Sequence, residues 1–223
     1  LVVNDLFKSS IPQIFGSSAE LDFLQQTQEG IPTSSDSPEL VLMKRLLLLL
    51  PLLLALETLQ AQYLGGIATR WNDSFTEWVL LDENGEPAGE LKLRWPFRND
   101  WSEWDFEFGE TFGSIRRKWR DNPNEWELRC DNRIFTARTV WPDNPREWRI
   151  TDNRLSLTFR TTWGNVWDEW ETRQSPHGSF ELFSQYEGDP RDWVIADHLD
   201  EQVPLPMKIL MTFIAVFHSS PKQ

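Results

Sequence analysis

The chain has 223 residues, 13 Trp, 14 Phe and a formal net charge of −13. An acidic surface argues against nucleic acid, because neutralising phosphates takes clustered Lys and Arg, and against docking on anionic lipid. The only cysteine is Cys130, which excludes an intrachain disulfide. The aromatic load replaces that staple. Each buried ring removes roughly 150–250 Å² from water, which is about 4–6 kcal/mol gross as an upper bound.

Residues 1–42 are rich in Ser, Gln and Pro and show no apolar period. Residues 43–62, MKRLLLLLPLLLALETLQAQ, follow a different plan. Lys44 and Arg45 precede an unbroken apolar run over 46–56, and Leu59-Gln60-Ala61 ends on a small residue. That is the three-part layout of a secretory signal peptide. The run is shorter than the ~20 residues that a membrane span needs. The expectation is therefore a signal peptide over 43–61 with translation starting at Met43, an untranslated or disordered leader over 1–42, and a mature domain over 62–223. The ending resembles that of bacterial signal peptides and places the domain in the periplasm or outside the cell, without an integral membrane span. From Gln62 onward 19 basic residues face 28 acidic ones, so the domain itself stays acidic.

Within 62–223 six aromatic pairs recur: Trp71/Trp78, Trp95/Trp104, Trp119/Trp126, Trp141/Trp148, Trp163/Trp170 and Tyr186/Trp193. All but the second are seven residues apart, and an acid precedes every second ring: Glu77, Glu103, Glu125, Glu147, Glu169 and Asp192. A fixed period means one structural unit reused. A strand with period-two alternation leads to each first ring. Leu155, Leu157, Phe159 and Trp163 share one face, and Ser156, Thr158, Arg160 and Thr162 the other. Such alternation marks a strand with one buried face. A shorter strand follows the second ring, as in Trp126, Leu128 and Cys130 against Glu127 and Arg129. The units join at Asp82-Glu83-Asn84-Gly85, Asp131-Asn132-Arg133, Asp152-Asn153-Arg154 and Ser175-Pro176-His177-Gly178. Asn, Asp and Gly tolerate the positive φ of tight hairpins. A second kind of turn, such as Asp121-Asn122-Pro123 or Asp143-Asn144-Pro145, separates the two rings.

Two strands per unit make twelve antiparallel strands in an up-and-down meander. Closure into a barrel removes the exposed edges, but a barrel of that width is not filled by its own side chains. The segment 206–218 supplies the filling. Met207, Ile209, Leu210, Met211, Phe213, Ile214, Val216 and Phe217 are apolar around the whole helix circumference, the signature of a helix buried on all sides. The fold class is thus all-β with one helix: a twelve-stranded antiparallel barrel enclosing a C-terminal apolar helix. Its expected structural core includes Trp78, Trp95, Trp104, Trp119, Trp126, Trp141, Trp148, Trp163, Trp170, Trp193, Phe213 and Ile214.

This plan, over roughly 65–218, resembles the tubby-like barrel group, which includes the tubby proteins, the phospholipid scramblases and the plant LURP-one proteins. The resemblance implies a barrel closed around its C-terminal helix. It implies no activity. Tubby proteins bind phosphoinositides through a basic patch, which this sequence lacks. Scramblases carry a Cys-rich acylation segment, and here Cys130 stands alone. Trp-rich choline-binding and MORN hairpin repeats are Gly-rich, whereas this chain has 11 Gly.

Trp101 and Trp167 fall out of phase in the inter-ring loops, where aromatics are better placed for ligand than for core. The six acids are expected on the outer face, paired with cations such as Arg94, Lys118 or Arg146, rather than as a ring holding a cation. His177, His198 and His218 are scattered without metal-ligand spacing, and no Gly-rich phosphate loop follows a strand. No cofactor, metal or catalytic residue is assigned. The function expected is a non-catalytic secreted or periplasmic binding or structural module of the cell envelope. The alternatives are a carbohydrate- or lipid-binding module using loop aromatics, and a glycoside hydrolase using surface carboxylates.

Overall fold

The computed structural model describes residues 63–222; the leader over 1–42 and the signal peptide over 43–61 lie outside the described residues. The chain runs through twelve strands. These are β1 (Leu64–Trp71), β2 (Ser74–Asp82), β3 (Pro87–Trp95), β4 (Asp100–Phe108), β5 (Thr111–Trp119) and β6 (Asn122–Cys130). The meander continues with β7 (Arg133–Thr139), β8 (Glu147–Thr151), β9 (Ser156–Thr161), β10 (Glu169–Thr172), β11 (Phe180–Tyr186) and β12 (Asp189–Asp197). Each strand pairs antiparallel with its chain neighbours, and β1 closes on β12 through Gly66↔Val194, Ile67↔Trp193 and Ala68↔Asp192. No edge is left to pair with another chain.

Alternation fixes the inside. Leu91, Phe106, Ile115, Leu128, Phe135, Ile150, Phe159, Phe180 and Leu182 all point into the barrel and are buried. The hairpin turns use the residues the backbone demands: Gly85 at φ 78°, Asp131 and Asn132 at 48° and 60°, Asn153 at 73° and Gly178 at 97°.

Helix α1 (Leu205–Ser219) runs through the barrel, and every side chain from Pro206 to Phe217 is buried. Phe213 and Phe217 meet the indoles of Trp104 and Trp126 edge-on, with ring centroids 4.8–6.5 Å apart. The helix is not apolar throughout. Lys208 is buried and donates to Asp197 at 2.7 Å, and its ammonium lies 4.9 Å from the centre of the Tyr63 ring. A charge in a barrel core persists only with such partners. The architecture, a closed twelve-stranded antiparallel barrel around one C-terminal helix, is consistent with a tubby-like or LURP-like barrel at the level of fold. Among the described residues no helix is long and apolar enough to cross a membrane.

Candidate functional site

In an up-and-down barrel all odd strands end at the same rim, so the six first-ring aromatics are gathered there. They do not line the core. Trp95, Trp119, Trp141 and Trp163, expected inside, are exposed by 42%, 59%, 60% and 57%, and Trp71 and Tyr186 join them outside. The second rings, Trp78, Trp104, Trp126, Trp148, Trp170 and Trp193, are all buried.

The cause is a register shift repeated around the rim. Thr69 pairs with Trp78, yet Trp71 pairs with Ser74. Leu93/Trp95, Arg117/Trp119 and Ser184/Tyr186 shift against their return strands in the same way. The return strand carries the surplus residues, and a bulge of this kind bends the strand and re-aims side chains. Strict alternation stops there, so a face extrapolated from Leu157 and Phe159 to Trp163 is wrong.

The surplus residues have fixed duties. Four before five of the six second rings stands Ser74, Asp100, Asn122, Asn144 or Asp189, with Val166 at that place before Trp170. In those five the side-chain oxygen accepts the N–H of the residue two further on, at 2.9–3.3 Å. Three before the ring, the carbonyls of Phe75, Trp101, Pro145, Trp167 and Pro190 accept the indole N–H of Trp78, Trp104, Trp148, Trp170 and Trp193 at 2.8–3.1 Å. The buried indoles are thereby satisfied, and the residues that serve them roof the barrel. Among the described residues Trp126 alone keeps a buried indole N–H without a partner.

Trp101 and Trp167 belong to this roof. Both are half-buried and packed against the core. Trp101 donates to Asn99 Oδ1 at 2.6 Å and lies 5.8 Å from Trp104. Trp167 lies 5.8 Å from Trp170 and stacks on His218 at 6.3 Å, with the Arg146 guanidinium 4.0 Å from its ring centre. Trp101, expected in a loop, is the second residue of β4, and Trp167 lies in the short segment before β10; neither is on a free platform. Below the roof lies the end of α1. Ser219 Oγ donates to the Trp167 carbonyl at 2.9 Å, and Lys222 donates to the Phe217 carbonyl at 3.0 Å, a cation placed where the helix dipole is negative. Burial, with the Lys222 charge beside it, pushes the His218 imidazole down to about 3.

The acid before each second ring faces outward. Glu77, Glu103, Glu147 and Glu169 accept the N–H of the exposed indole of their own unit, from Trp71, Trp95, Trp141 and Trp163, at 2.7–3.3 Å. Arg94 also reaches Glu103 at 3.3 Å, and Lys118 reaches Glu125 at 2.6 Å. Arg146 does not pair with an acid; it donates to the Val166 carbonyl at 2.9 Å. Among the described residues no group of three or more His, Cys, Asp or Glu is arranged to hold a metal ion. His177 bonds Asp200 at 3.0 Å, His198 follows β12, and His218 is under the roof.

The rim is therefore a circle of exposed aromatic faces, four with a carboxylate fixed at the indole edge. Neighbouring members are two strands, roughly 10 Å, apart. No protein-family model, curated protein or solved structure matches the chain.

Proposed function

We propose that the protein is a non-catalytic binding module of the bacterial cell envelope, secreted or periplasmic, that takes polysaccharide on its aromatic rim. The observation that carries this reading is the outward turn of the first ring in all six units. Aromatics left in water at equivalent positions form a patterned surface, unlike singly scattered apolar residues. A flat ring offers an apolar face for the C–H face of a sugar. The adjacent carboxylate accepts hydroxyl hydrogens. A repetitive polymer presents such faces repeatedly, matching a rim built from repeats. The leader pattern over 43–61 supports the location.

Lipid is the less favoured ligand. Inserting this rim into a bilayer interface would desolvate the carboxylates that flank the indoles, and the domain carries a net negative charge. Glu90 and Glu127 are poor candidates for the proton donor of a glycoside hydrolase. A general acid needs a raised pKa, whereas hydrogen bonds from Lys92, with its charge, hold Glu90 low, and guanidinium bonds from Arg129 and Arg116 hold Glu127 low against its burial.

Affinity electrophoresis through gels containing a panel of soluble polysaccharides, paired with flotation on phosphatidylcholine vesicles, tests the proposal. The native protein is expected to be retarded by at least one polysaccharide and not to float. The Trp71→Ala/Trp141→Ala/Trp163→Ala variant is expected to run freely with its melting temperature preserved. Equal retardation of both proteins overturns the rim as the site, and flotation assigns it to lipid.

A further inference from the structure

Of the ten arginines on the strands of this acidic barrel, seven meet a carboxylate: Arg70, Arg94, Arg116, Arg129, Arg133, Arg160 and Arg191. Arg138 and Arg149 do not. They sit directly opposite one another on β7 and β8, an arrangement of like charges that costs stability. Both are exposed, and among the described residues neither side chain has an ion pair or hydrogen bond. Glu125, in register with Arg138 on β6, is taken by Lys118 at 2.6 Å. Across Arg149 on β9 stands Thr158, which brings no charge.

The two guanidinium groups line a cleft of about 270 Å³ with Asn122, Asn124 and Pro142. The cleft adjoins the rim. Asn122 is the register partner of exposed Trp119, and exposed Trp141 lies between the lining residues Val140 and Pro142. Asp143 accepts from the lining Asn124 Nδ2 at 3.3 Å. The cleft therefore offers two cations without carboxylate partners, and amide groups, beside two exposed aromatics, in a domain of net negative charge.

We propose that this cleft binds the acidic substituent of a charged polysaccharide, a carboxylate or sulfate, while Trp119 and Trp141 hold the neighbouring sugar faces. The proposal rests on the reading of the rim as a polysaccharide site and narrows its ligand to an acidic polymer. Two guanidinium forks facing one anion give charge-assisted bonds of fixed geometry, and the mutual repulsion of Arg138 and Arg149 is relieved when the anion enters.

Polygalacturonate, its methyl-esterified form and dextran sulfate serve as probes for the native protein and for Arg138→Gln/Arg149→Gln. Because both arginines are exposed and their removal relieves a like-charge contact, the variant is expected to melt at or slightly above the native temperature. The expected result is binding of an acidic polymer that salt weakens, weak binding of the ester, and roughly ten-fold or greater loss in the double variant. Arg138→Lys/Arg149→Lys is expected to recover part of the affinity, since charge without the fork remains. Equal binding of acid and ester, or acidic binding that survives loss of both arginines, overturns the anion site and leaves the rim reading standing. Binding of neutral polymers alone does the same. Failure to bind any polymer overturns both.

Discussion

A neutral imidazole buried under the roof ties single residues to the stability of the whole domain. His218 lies 5.2 Å from Trp148 and is stacked on Trp167, and its Nε2 has no partner among the described residues. Burial, aided by Lys222, depresses its pKa from 6.5 to about 3. The unfolded chain then binds a proton that the native state refuses, so stability falls as pH drops through 6.5 toward 3. The expected loss between neutral pH and pH 5 is about 2 kcal/mol. Urea denaturation at both pH values checks it: His218→Gln is expected to lose most of this dependence. Carboxylates held low by guanidinium partners, such as Glu127, add their share only further into acid. Lys208 and Asp197 form an ion pair at 2.7 Å with both side chains almost wholly out of water. The sequence displayed Lys208 in the midst of an apolar helix, but not which of many acids would meet it.

Each unit of two strands separates its aromatic pair by role. The second ring packs on α1 or on its neighbours and, in every unit but that of Trp126, has its N–H satisfied three residues back. The first ring lies beyond the bulge with a face in water. The two should respond differently to truncation. Trp148→Ala removes a fully buried indole and is expected to cost about 3–5 kcal/mol. Trp141→Ala, at an exposed position of the same unit, should stay within roughly 0.5 kcal/mol. Chemical denaturation of both variants measures the contrast, and equal losses would contradict the division. The period and the acid before the second ring were legible in the chain. The polar residue four places before the ring was legible too, at Ser74, Asp100, Asn122, Asn144 and Asp189, and it is the signal that foretells the bulge. Read as part of a turn, it hid the change of face. Trp101 and Trp167 were seen to break the phase, but the carbonyl bond from Trp104 and Trp170 that roofs the barrel with them has no trace in hydropathy.

For the molecule as a whole, closure and filling depend on each other. Twelve strands enclose too wide a space to be packed by their own side chains, and α1 has no aqueous face. Phe213 is fully buried between Trp104 and Trp126. Phe213→Asp places an unpaired carboxylate there and is expected to abolish cooperative unfolding, as followed by Trp fluorescence and circular dichroism. Phe213→Leu is expected to fold with reduced stability. A cooperative Phe213→Asp barrel would show that the sheet stands without its helix.

Strand count, antiparallel order, hairpin turns and the buried helix were determined by the sequence, because each follows from local rules: side-chain alternation, positive-φ turn residues and an apolar helix circumference. The tertiary structure alone decided which ring of each pair is dry. It also decided that Arg138 and Arg149 face each other without an acid, while seven of the other strand arginines meet one. Both outcomes depend on register between strands, and register sums contacts from residues far apart in the chain. A register shift before Trp71, Trp95, Trp119 and Tyr186, and strand ends before Trp141 and Trp163, put six aromatics on the surface and moved the candidate site from the loops to the rim.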